Sequence, residues 1–154
     1  MGKNNLTHLD VNGTAHMVDV GSKQDTTRLA IARGEVKMKA ETLELIKSGV
    51  MKKGDVLTVA QVAGIQAAKQ TSGLIPLCHP LLLTKVDVDL KLDESIPGVI
   101  ITALVKVAGK TGVEMEALSG VNSALLAIYD LSKIVEPNLK ITNTRLLIKS
   151  GGKK

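Results

Sequence analysis

The chain has 154 residues, 44% hydrophobic and 23% charged, so it carries enough apolar content for one packed domain and too much for a disordered chain. No apolar run approaches the roughly 20 residues of a membrane span, MGKNNLTHLD lacks an apolar secretory region, and the lone Cys78 cannot form an intrachain disulfide, which points to a cytoplasmic setting. A net charge of +5 favours an anionic partner, but with no Phe or Trp and only Tyr129 there is no stacking platform for bases, so a small phosphorylated ligand is favoured over nucleic acid.

Residues 3–27 read as an irregular, turn-rich segment, with a tight turn at Asn12-Gly13 and a short extended piece at His16–Val20. From Arg28 to Lys39, alternation around Leu29, Ile31, Val36 and Met38 predicts a strand, and Gly34 suggests a bulge where the parity shifts. AETLELIKSG predicts a short helix ended by Gly49, followed by a basic loop, Lys52-Lys53-Gly54-Asp55. Asp55 is the expected N-cap of a second helix, with Val56, Val59, Ala60, Ala63 and Ala67 at helical spacing.

GLIPLCHPL, with Pro76 and Pro80 around Cys78 and His79, predicts a stiff loop. KVDVDLKL alternates strictly, Ser95–Gly98 is a turn, and VIITALVKV pairs back as a hairpin. After the GKTG loop, 113–135 holds the longest helical pattern, LKITNTRLLIK is the last strand, and SGGKK is expected to be a mobile tail. The order predicts an α+β, ferredoxin-like split βαβ domain over 1–154, an antiparallel sheet with helices packed on one face.

Gly109-Lys110-Thr111 does not complete a phosphate-binding P-loop, because Leu104 stands where the pattern needs glycine. A glycine-rich turn before a helix still leaves free N–H groups for an anion. Glu114 and Glu116 are either ordinary first-turn charge or site groups. Asp130 and Lys133, spaced i, i+3 in an apolar run, form either a structural ion pair or a site in which the acid orients a partly buried ammonium. His79 is either a packed histidine or a proton-transfer group, and no cysteine or histidine spacing supports structural zinc. Lys53 and Lys69 read as surface charge on their own.

Taken together, HMVDV at 16–20, KGDV at 53–56, AGIQAAK at 63–69, LIPLCHPL at 74–81, GKTGVEMEAL at 109–118, YD..K at 129–133 and KSGGK at 149–153 resemble the MoaC family over nearly the whole chain. The resemblance implies a phosphorus–oxygen lyase of molybdenum cofactor biosynthesis. Such an enzyme rearranges 3',8-cyclo-7,8-dihydro-GTP, supplied by a radical GTP cyclase, to cyclic pyranopterin monophosphate and releases pyrophosphate. It further implies a homohexamer, a trimer of dimers with interface active sites, and no resident cofactor or metal, Mg2+ being able to accompany the substrate triphosphate.

By the same resemblance Asp130, Lys133 and Lys53 are catalytic, and Leu77, Cys78, His79, Met115, Glu116, Glu114 and Lys69 bind substrate. Ser119-Gly120 and Leu131-Ser132 depart from the family's usual residues without touching site positions. Glu116 and Asp130 fall on one helix face but roughly 21 Å apart at 1.5 Å per residue, which one chain cannot focus on one ligand. An interface between subunits would solve this, and the small residues Gly120, Ser123 and Ala127 are expected to let helices approach there. The alternative of another class is a ligand-sensing module that binds a nucleotide without changing it, and an RNA-binding domain is disfavoured by the missing aromatics.

Overall fold

The structure, a computed structural model, is described over residues 7–49 and 55–152. It runs β1 (Thr26–Lys37), α1 (Ala40–Ser48), α2 (Val56–Lys69), α3 (Thr71–Leu74), β2 (Leu83–Asp93), β3 (Gly98–Gly109), α4 (Glu114–Ser132) and β4 (Lys140–Ser150). The sheet order is β2-β3-β1-β4 with every neighbouring pair antiparallel. Each crossover therefore skips one strand, the split βαβ arrangement expected of the ferredoxin-like class.

One face of the sheet is the core. Val99, Ile101, Ala103, Val105 and Val107 of β3 and Ala30, Ala32 and Val36 of β1 are buried beneath Ala117, Val121, Ala124, Leu125 and Ile128 of α4. Burying the valine, leucine and isoleucine side chains among these stabilises by about 1.5–3 kcal/mol each. On β1 the structure corrects the sequence reading. Arg28, Ala30, Ala32, Gly34 and Val36 face the core in unbroken alternation, so there is no parity shift at Gly34, and Leu29 and Ile31 point to the open face. The small side chains sit inward because α4 crosses close above them: a Cβ on Gly34 would lie 2.8 Å from both Leu125 Cδ1 and Val121 Cγ1. The expected irregularity at Gly34 is present in the pairing with β4, which breaks between Arg33 and Glu35 and again between Ile31 and Ala32, β4 carrying the extra residues in both places with Asn143 at a φ of 62°.

Asp55 caps α2 by accepting from the Thr58 N–H at 3.2 Å, and Gly49 ends α1 at a φ of 74°. Val59, expected on the inner stripe of α2, is instead exposed, because Gly64 and Ala68 complete that stripe. The turn at Asn12-Gly13 forms, Gly13 N–H donating to the Asp10 carbonyl at 3.0 Å. Ser150 ends β4, and Gly151 and Gly152 follow it as a bend lying against Thr27 and Arg28. Among the described residues no helix is long and apolar enough to cross a membrane.

Candidate active site

The loop 75–79 and the start of α4 meet at one end of the sheet. Leu77, the first of three residues between Pro76 and Pro80, takes a φ of 66°, a left-handed conformation uncommon for a residue with a side chain. Leu77, Cys78 and His79 then line a cavity of about 550 Å3 together with Glu114, Met115 and Glu116. The His79 ring nitrogen Nε2 contacts the Val18 carbonyl oxygen, which fixes the ring against the N-terminal segment. These six predicted residues come together.

The two carboxyls of this group sit in opposite settings. Glu114 meets the Lys149 ammonium at 2.6 Å. Burial raises the Glu114 carboxyl, but the Lys149 hydrogen bond, its own backbone N–H and the charges of Lys149 and Arg28 outweigh that and hold it below the ordinary value. Glu116 is 3% exposed, and its buried Oε1 has no hydrogen-bond partner. Its carboxyl is pushed up, chiefly by burial and further by the Glu114 charge. The Cys78 Sγ lies 3.9 Å from Glu116 Oε2, and its thiol is pushed up by burial and by that carboxylate, which keeps it from acting as a thiolate.

Three cations on this cavity escaped the sequence reading. Arg28, 6% exposed, donates from Nε to the Gly109 carbonyl at 2.9 Å and from Nη2 to the Lys110 carbonyl at 3.1 Å. Lys149 and Lys23 join it in the lining. Arg28 was legible as a charged residue in phase with Ala30, Ala32 and Val36, had that parity been taken as the core face. Lys149 stands in the KSGGK string, but lone surface lysines carry no signal. A buried guanidinium and two ammonium groups thus stand on one cavity with the carboxyls of Glu114 and Glu116.

The remaining predicted residues lie elsewhere. Asp130 and Lys133 form their ion pair at 2.8 Å, with side chains 58% and 51% exposed, at the far end of α4. The expected partial burial of Lys133 is thus not met within one chain, because it sits on the solvent side of the last turn with Ile134 also exposed. The Asp130 hydrogen bond and charge push its ammonium up. Glu116 and Asp130 lie within about 40° of each other around α4 but differ in burial, Glu116 being buried with Gly120 and Ala124 and Asp130 exposed near Leu126. Lys69 lines a separate cavity with Ile65 and Leu81–Val86. Lys53 lies outside the described residues. Gly120, expected at a subunit contact, is used inside the chain, where a Cβ would lie 3.3 Å from the Gly64 carbonyl oxygen of α2. Among the described residues no three His, Cys, Asp or Glu side chains converge as a metal-binding group.

Fold and site define an α+β protein of the ferredoxin-like class with a cavity at the sheet end that Lys23, Arg28 and Lys149 line. The MoaC family model matches residues 17–152. The chain belongs to the MoaC family. It is 58% identical over 148 residues to a cyclic pyranopterin monophosphate synthase of Cereibacter sphaeroides, covering 96% of this chain and 93% of that protein. A cyclic pyranopterin monophosphate synthase of Dinoroseobacter shibae is 57% identical, with 96% and 94% covered.

Proposed function

We propose that the protein is a cyclic pyranopterin monophosphate synthase. It converts 3',8-cyclo-7,8-dihydro-GTP to cyclic pyranopterin monophosphate and pyrophosphate in molybdenum cofactor biosynthesis. The observation that carries this reading is the meeting of Leu77–His79 with Glu114–Glu116 around one cavity that Arg28 and Lys149 make cationic, in a chain 58% identical to such synthases.

The chemistry matches the groups. The buried Glu116 carboxyl and the His79 ring nitrogen are the polar groups offered to the edge of a guanine-derived base. Opening that ring and closing the pterin move protons, the work assigned to Lys53 and Lys133, with Asp130 orienting Lys133. In cyclic phosphate formation a sugar hydroxyl gives up its proton to a base, its oxygen bonds to the α-phosphorus, and the bond to pyrophosphate breaks, its electron pair leaving with pyrophosphate. Arg28, Lys149 and Lys23 neutralise that leaving group.

Because Asp130 lies roughly 21 Å along α4 from Glu116, the complete site is read as an interface site in which Asp130 and Lys133 come from a neighbouring copy. The reading takes the assembly as a hexamer, a trimer of dimers, in the cytoplasm, fed by a radical GTP cyclase. It requires no resident cofactor, and any Mg2+ arrives with the triphosphate. The test is incubation of purified protein with the cyclised dihydro-GTP, following pyrophosphate and pterin by mass spectrometry. Both products over multiple turnovers are expected; tight binding with neither product overturns the synthase in favour of a ligand sensor.

A further inference from the structure

Two glycines of the KSGGK string have no part in the chemistry above, yet their backbone is closely constrained. Gly151 and Gly152 have φ of 91° and 77°, a region side chains rarely adopt. A Cβ on Gly151 would run into the Thr27 carbonyl oxygen and come within 2.9 Å of Arg28 Cα. A Cβ on Gly152 would run into Arg28 Nη1, with Cζ 2.9 Å away. The backbone thus leaves no room for a side chain beside β1 at 151, or beside the head of its buried arginine at 152.

The guanidinium is held from another direction too, by its hydrogen bonds to the Gly109 and Lys110 carbonyls. It lines two cavities, of about 550 and 500 Å3; Gly151 borders the first and Gly152 the second. A side chain on either glycine has no space to enter without moving β1 or the guanidinium. An arginine locked in this way loses little freedom when it binds a phosphate, which is where a long, flexible cation otherwise loses affinity.

We propose that Gly151-Gly152 is a positioning element: its side-chain-free backbone holds the Arg28 guanidinium in the wall between the two cavities, oriented for the polyphosphate tail of the substrate. This rests on the synthase reading and on the polyphosphate role it gives Arg28.

The test compares Gly152→Ala, Arg28→Ala and the double variant, measuring steady-state KM for the cyclised dihydro-GTP and calorimetric affinity for inorganic pyrophosphate. Gly152→Ala should weaken both by roughly tenfold or more, the scale of a charge-assisted hydrogen bond, with kcat changed less. The double variant should match Arg28→Ala alone in KM and pyrophosphate affinity, because the methyl no longer meets the guanidinium and the strain of the positive φ at 152 falls on stability. Additive losses overturn the proposal, since Gly152 would then act independently of Arg28. If Gly152→Ala does not fold, a folded double variant supports the proposal, and an unfolded one overturns it in favour of a backbone role. An Arg28→Ala variant with unchanged KM and pyrophosphate affinity removes the proposal, while its continued turnover leaves the synthase reading standing.

Discussion

The Lys149 ammonium lies 2.6 Å from Glu114 at the first turn of α4, while Glu116, two residues on, is buried with one oxygen unpartnered. Lys149 holds the first carboxyl down while burial pushes the second up, so two carboxyls of the same turn have opposite ionisation tendencies, a common way to separate roles in one cavity. Their effects on stability have opposite signs. Glu114, held low, contributes stability that is present above its ordinary value of 4.5 and lost as pH falls through its lowered folded value. Glu116, pushed up, favours the fold below 4.5, and that contribution is lost as pH rises through its raised folded value.

Glu116→Gln, an isostere of the neutral acid, should therefore melt higher than the wild type at mildly alkaline pH, with the difference vanishing below pH 4.5. Thermal melts across pH read this directly. A variant that melts lower than wild type at alkaline pH would show Glu116 to be stabilised as the carboxylate.

Lys149→Met removes the cation that offsets burial at Glu114. That carboxyl should rise, so the acid limb of the kcat/KM profile moves to higher pH, and kcat/KM at neutral pH falls roughly tenfold or more. An acid limb that stays in place would separate Glu114 from the essential ionisations.

The interface reading makes a mixing prediction. Lys133→Ala and His79→Ala should each abolish turnover without loss of fold. If one site takes His79 from one chain and Lys133 from its neighbour, co-refolded equal mixtures should regain activity at about one site in four. No recovery from confirmed mixed oligomers would place both residues in a site within one chain.

Much of this was readable before the fold was known, and what was not has physical causes. The strict alternation of Val86, Val88, Leu90 and Leu92 and the Gly49 stop gave elements directly. On β1 the larger side chains Leu29 and Ile31 outweighed Ala30, Ala32 and Gly34 as a hydrophobic signal, although a close-packed helix demands small residues on the buried face. That choice also hid Arg28. The meeting of His79 with Glu116, 37 residues apart in sequence, follows from the motifs only through family resemblance. Lys133 cannot be judged from one chain, because its environment depends on what covers an exposed helix end.

Gly64 and Gly120 set the α2–α4 crossing, but not symmetrically. A Cβ on Gly64 would lie 2.8 Å from the Gly120 carbonyl oxygen and 3.1 Å from Val88 Cγ1, so α2 must shift. Gly64→Ala should cost about 1–3 kcal/mol. Gly120→Ala meets Gly64 O at 3.3 Å and Ala103 Cβ at 3.6 Å, and the gain in helix propensity offsets that contact, leaving a change below about 1 kcal/mol. Denaturant melts of both variants test the asymmetry; equal losses would mean the crossing is set elsewhere.

The N-terminus of α1 has no local side-chain cap, Lys39 standing at the N-cap position. Glu136, just past α4, supplies one from afar: its Oε1 accepts from the Lys39 N–H at 2.8 Å and from the Thr42 hydroxyl at 2.7 Å. Glu136 and Thr42 are 6% and 4% exposed, so water cannot readily replace a lost partner. Glu136→Ala should therefore cost about 1–3 kcal/mol, the desolvation cost of unpaired buried donors. Glu136→Gln keeps an acceptor oxygen and should recover most of that loss. Because Glu136 follows Lys133 by three residues, the alanine variant should also lower turnover, and the glutamine variant restore it, if the cap holds the end of α4 as well as the start of α1. Denaturant midpoints measured with kcat for both variants separate these two roles: a stability loss without a change in turnover would confine Glu136 to capping α1.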